Sequence, residues 1–100
     1  MKPSYHYNLW KEYSVNGNLK VREKLLIQYI PLVKYVAGKM MFSLPTCVDY
    51  YDLLSAGVMG LIGALDRFNP DQGVKFETFV LPRIKGAILD ELRTLDWAPR

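Results

Sequence analysis

A chain of 100 residues carrying a net charge of +3 suits a single domain, and with half its residues hydrophobic and 13% aromatic it can build a packed core, which argues against disorder. One cysteine, Cys47, excludes an internal disulfide and fits a reducing compartment. No apolar run approaches the ~20 residues of a membrane span, and the opening "MKPSYHYNLWKEY" lacks the apolar centre of a signal peptide, so the cytoplasm is the expected location and no membrane partner is expected.

The charge is unevenly distributed. Residues 1–41 carry a net +5, residues 42–74 a net −3 and residues 75–100 a net +1. Such a pattern is compatible with ordinary solvated surface. It is also compatible with basic ends that face a polyanion and an acidic middle that faces something else.

In chain order, turn signals divide the sequence into four helical pieces. A short first helix is expected over roughly residues 4–14, ending before "NGN". Asn18 is placed to cap a long second helix. Leu25, Leu26, Tyr29, Ile30, Val33, Val36, Ala37 and Met40 follow helical spacing there. Pro31 falls inside this pattern and is expected to kink the helix without ending it, because the period continues beyond. "SLPTCV" is a loop, after which Asp49 is placed to cap a third helix running to about Phe68. "NPDQG" is a turn, with Gly73 able to accept positive φ. A fourth helix is expected from about Phe76 to Leu95, and "DWAPR" closes the chain. No stretch alternates with period two. The expected fold class is all-α, a compact bundle of about four helices.

The third helix, "DYYDLLSAGVMGLIGALDRF", has two apolar faces. Leu54, Gly57, Val58, Leu61, Ala64, Leu65 and Phe68 form the expected core face. Asp52, Ser55, Ala56, Met59, Ile62, Gly63 and Asp66 lie opposite. Gly57, Gly60 and Gly63 each cost ~1 kcal/mol relative to alanine in a helix interior, which suggests that another backbone packs close. The second face either packs on another helix of the bundle or docks a partner protein, with Met59 and Ile62 as apolar anchors.

The fourth helix, "FETFVLPRIKGAILDEL" over residues 76–92, is expected to bury Val80, Ile84, Ala87, Ile88 and Leu95. Along its other side Phe79, Pro82, Arg83, Gly86, Asp90 and Arg93 recur at intervals of three and four, so they share a stripe. Each suits an unpaired nucleic-acid strand. Phe79 offers a stacking surface. Arg83 and Arg93 can grip phosphate or fork onto a base edge. Gly86 lets a base or backbone approach, and Asp90 can accept from a base amino group or orient an arginine. Lys75 and Lys85 flank the stripe as phosphate contacts. A solvated mixed-charge helix has the same composition.

Enzyme chemistry has no candidate residues. His6 and Cys47 are single, and no catalytic, metal-ligand or cofactor constellation stands out. The three glycines of the third helix lie in an apolar helix and form no dinucleotide fingerprint.

The run from Asp49 to Arg100, containing "DLLSAGVMGLIGALDRFNPDQGVKFETFVLPRIKGAILDELRTLDWAPR", closely resembles the second conserved domain of bacterial RNA polymerase sigma factors. "RIKGAILDELRTLDWAPR" is most similar to flagellar-type alternative members, and "YIPLVKYVAGKM" resembles the preceding family segment. The resemblance implies a non-enzymatic transcription initiation factor, without a cofactor, that is the N-terminal promoter-melting fragment of a longer chain. It implies docking on the clamp helices of core RNA polymerase through Tyr51, Asp52, Ser55, Ala56, Val58, Met59 and Ile62. It further implies that the fourth helix recognises and melts the promoter minus-ten element by holding the non-template single strand. The DNA contacts so implied are Lys75, Phe79, Arg83, Lys85, Gly86, Asp90, Arg93 and Arg100, and Phe79 matches the family's base-stacking aromatic. Flagellar-type relatives are controlled by anti-sigma proteins, so such a protein is a further candidate partner. Housekeeping members carry a tryptophan pair where Pro82 and Arg83 stand here, and polar or charged side chains where Ser55 and Ala56 stand. Pro82 is expected to bend the helix at the DNA-facing surface. The rival reading is a helical protein-interaction adaptor without DNA binding.

Overall fold

The computed structural model describes residues 19–44 and 47–95. The expected first helix, Asn18 as a cap, and Arg100 lie outside the described residues. Three α-helices follow in order: α1, Leu19–Met41; α2, Tyr50–Arg67; and α3, Phe76–Thr94. A 3-10 turn, Pro70–Gln72, precedes α3. No strand occurs among the described residues, in keeping with an all-α fold.

Helix α1 runs unbroken through Pro31. A proline inside a helix removes one backbone bond and costs ~3 kcal/mol. The helix continues because Val33, Val36 and Ala37, beyond the proline, are buried in the core, while Pro31 itself faces solvent. Asp49 caps α2 as expected. Its backbone is extended, and its Oδ1 accepts from the Tyr51 N–H at 2.8 Å. Asp52 in the first turn and Arg67 in the last complement the helix dipole. Beyond α2, Asn69 Oδ1 accepts from the Asp71 N–H at 2.9 Å, and Gly73 takes the left-handed conformation with φ 78°. That conformation favours glycine and turns the chain into α3.

The core unites Leu25, Tyr29 and Val33 of α1, Leu53, Leu61 and Leu65 of α2, and Phe76, Val80, Ile84, Ile88 and Leu92 of α3. Helix α2 lies against both others. Gly57, Leu61, Ala64 and Leu65 of its expected core face are buried, but one edge of that face is shifted. Leu53, not Leu54, is fully buried, and Leu54, Val58 and Phe68 are only half-buried. In α3 the expected core residue Leu95 is 37% exposed, because the helix ends at Thr94 and Leu95 sits at its C-cap. Ala87 is half-buried, and Leu92 takes the place in the core assigned to the later leucine.

The α2 glycines behave in three different ways. A Cβ on Gly60 would lie 2.8 Å from the Arg83 carbonyl oxygen and 2.9 Å from Ala87 Cβ, so here the backbone of α3 does press on α2. A Cβ on Gly57 would meet the Val33 side chain at 2.6 Å. Gly63 faces open space, contrary to the expectation of a close backbone at all three.

Candidate nucleic-acid and docking faces

On α3 the residues expected to share a stripe are brought to one side of the helix. Phe79 is half-buried, and its ring emerges from an aromatic cluster. Its centroid is 5.3 Å from that of Phe68 and 6.4 Å from that of Phe76. Phe76 in turn lies 5.1 Å from Phe68 and 4.6 Å from Tyr29. The cluster anchors the inner side of Phe79 in the core and leaves its outer part at the surface.

Arg83, one turn further along, lies over the Phe79 ring with its guanidinium carbon 3.7 Å from the centroid. Its Nη1 donates to the Phe79 carbonyl oxygen at 3.0 Å. Asp90 and Arg93 are both exposed and form an ion pair of 2.5 Å. A Cβ on Gly86 would meet nothing within 4 Å. Internal packing therefore does not demand glycine there, and the backbone is open to an approaching group.

Among the described residues, grooves border α3 on both sides. One, of about 340 Å³, runs between α2 and α3 and is lined by Gly60, Gly63, Arg67, Arg83, Gly86 and Asp90. The other, of about 400 Å³, lies between α1 and α3 beside Tyr35, Lys39, Leu81 and Lys85, and Lys39 stands 5.3 Å over the Tyr35 ring. Lys85 therefore flanks α3 on the side away from Arg83. Lys75 is exposed at the N-cap of α3. Arg67, Tyr35 and Lys39 were not among the expected contacts. Arg67 is assigned to neither face of the third helix by its sequence pattern, and Tyr35 and Lys39 lie on a helix read mainly for its core.

The second face of α2 is solvent-facing among the described residues. Met59 is 65% and Tyr51 70% exposed. Asp52 and Ser55 are exposed, and Ala56, Val58 and Ile62 are half-buried. Val58 leans on the core from its flank, whereas Ile62 is not among the side chains packed against it. Asp66, at the far end of this face, accepts from Arg22 Nε and Nη2 of α1 at 3.1–3.4 Å and so ties α2 to α1.

No described helix is long and apolar enough to cross a membrane.

The sequence family described as Sigma-70 region 2 matches residues 25–98. The RNA polymerase sigma-D factor of Bacillus subtilis is 43% identical over 91 residues, covering 91% of this chain and 35% of that protein. The RNA polymerase sigma factor FliA of Salmonella typhimurium is 46% identical over 79 residues, 79% of this chain and 33% of that protein. Among solved structures, a cocrystal structure of the flagellar sigma/anti-sigma complex Sigma-28/FlgM matches with a TM-score of 0.74 at 44% identity, over 84% of this chain and 36% of its counterpart. The chain thus spans about a third of the length of the relatives it matches. The match through all three described helices, with relatives at 43–46% identity, places this chain in the sigma-70 region 2 family, with a flagellar sigma factor among its relatives.

Proposed function

We propose that this chain is the promoter-melting part of a flagellar-type sigma factor. It docks on the clamp helices of core RNA polymerase through α2 and holds the unpaired non-template strand of the minus-ten element on α3. The polymerase supplies the chemistry of RNA synthesis, and the chain supplies specificity. The observation that carries the reading is Phe79: an aromatic ring at the surface of α3, backed by an aromatic cluster and flanked by a guanidinium and an open glycine. That is the equipment of a base-stacking platform. The separate exposed face around Met59 on α2 supports docking. An anti-sigma protein is a further candidate partner, given that the matching solved structure holds one.

The test is strand choice. In the presence of core polymerase, the chain should bind single-stranded non-template minus-ten DNA more tightly than the template strand or the duplex. Phe79→Ala should weaken non-template binding by ~1–3 kcal/mol, the worth of one stacked base in single-strand binders. Equal affinity for both strands, insensitive to Phe79, would leave only generic electrostatic attraction. An adaptor without DNA binding would bind polymerase yet show no promoter-strand affinity at all.

A further inference from the structure

The stacking surface on Phe79 is already occupied. The Arg83 guanidinium carbon lies 3.7 Å from the ring centroid, which is the separation of two atoms in van der Waals contact. A base stacked on that face would need the same space. The ring's other aromatic neighbours, Phe68 and Phe76, are fixed in or against the core, so they cannot yield a second face without repacking. Arg83 can yield: it is exposed, and its hold consists of one cation–π contact and one hydrogen bond to the Phe79 carbonyl.

We infer that Arg83 is a cap on the Phe79 platform and a selectivity element for it. A base and the guanidinium exclude each other from the ring. When a base takes the ring, Arg83 swings out and gives up both contacts. A ligand that carries phosphate beside its base receives the released cation and offsets that loss. A ligand with bases but no charge cannot. The platform therefore favours unpaired nucleotides on an anionic backbone over equally stackable neutral ones. This rests on the reading of Phe79 as a base-stacking residue.

The experiment compares two probes against the chain in complex with core polymerase: the ordinary non-template minus-ten strand, and the same sequence with an uncharged methylphosphonate backbone. Arg83→Gln should bind the neutral strand about two- to fivefold more tightly than the unsubstituted chain, the weight of one exposed cation–π contact. It should bind the ordinary strand less tightly at low salt, with the log–log salt slope smaller by about 0.7, the share of one single-strand phosphate contact. Lys34→Gln, an exposed lysine of α1 outside both faces, is the charge-matched control and should leave neutral-strand affinity unchanged. If Arg83→Gln leaves neutral-strand affinity unchanged or lowers it, or if the neutral strand binds neither form, the cap does not exist. Phe79→Leu separates this failure from that of the underlying reading. Should Phe79→Leu weaken the ordinary strand while Arg83→Gln fails to strengthen the neutral one, the platform stands without its cap. Should Phe79→Leu change neither probe, stacking on Phe79 is wrong and the cap falls with it.

Discussion

Tyr29 and Glu77 are 48 residues apart in sequence and meet where α1 crosses the start of α3. The buried Tyr29 hydroxyl donates to Glu77 Oε1 at 3.0 Å. Glu77 Oε2 is itself buried and has no hydrogen-bond partner among the described residues. The carboxylate thus depends heavily on one donor, while its place in the first turn of α3 lets the helix dipole favour its charge. Removing that donor should expose the asymmetry of buried polar pairs, in which losing one partner costs more than losing both. Tyr29→Phe should lower stability by ~1–3 kcal/mol, and the double variant Tyr29→Phe, Glu77→Leu should recover most of the loss. Chemical denaturation of the single and double variants measures both. A double variant as unstable as the single would show that ring packing, not the carboxylate, governs the site. This contact could not be read from the sequence, because nothing local links two residues so far apart. The Phe79–Arg83 contact, by contrast, is a helical neighbour pair, and its spacing alone made the two residues candidates for one surface.

At the scale of the helices, the glycines of α2 divide into those that packing requires and one that it does not. Alanine is favoured over glycine by ~1 kcal/mol in a helix interior. At Gly63 nothing stands within 4 Å of a new Cβ. Gly63→Ala should therefore stabilise the chain by ~0.5–1 kcal/mol. At Gly60 the new atom meets backbone and a Cβ of α3, neither of which can rotate away. Gly60→Ala should force the two helices apart and cost ~1–3 kcal/mol despite the better propensity. Opposite shifts in melting temperature are the expected outcome, and shifts of the same sign would mean that the α2–α3 contact can open to admit a methyl group. These elements were largely legible beforehand, since apolar periodicity marked all three described helices and Asp49 and Gly73 marked their boundaries. Rotation about the helix axis was less so. The expected core face of α2 took in Leu54 and missed Leu53, because adjacent leucines differ by only 100° and both fall near the edge of a broad stripe. Leu95 fitted the period of α3, but a period cannot show that the helix stops one residue earlier.

At the scale of the described residues as a whole, the two proposed tasks fall to separate faces. The exposed face of α2 around Met59 and the Phe79 stripe of α3 belong to different helices, joined by the tight contact at Gly60. Substitution on one face can therefore be read without disturbing the other. Met59 is the sharper probe. Its side chain is 65% exposed and is not among those packed against the core. Met59→Asp should hence change stability by no more than about 0.5 kcal/mol, as substitutions at exposed positions do. If Met59 is an apolar anchor for the polymerase, placing a carboxylate there removes buried area and strands a charge in the interface. The expected loss of polymerase affinity is ~2 kcal/mol or more, the scale of a central interface residue. Titration against core polymerase measures that loss, and thermal melting followed by circular dichroism measures the fold. Lost affinity with an unchanged melt would support α2 as the docking helix. A melting temperature that drops along with affinity would make Met59 a packing residue. Unchanged affinity with an unchanged melt would place the polymerase contact elsewhere and leave the exposed face of α2 without its proposed partner.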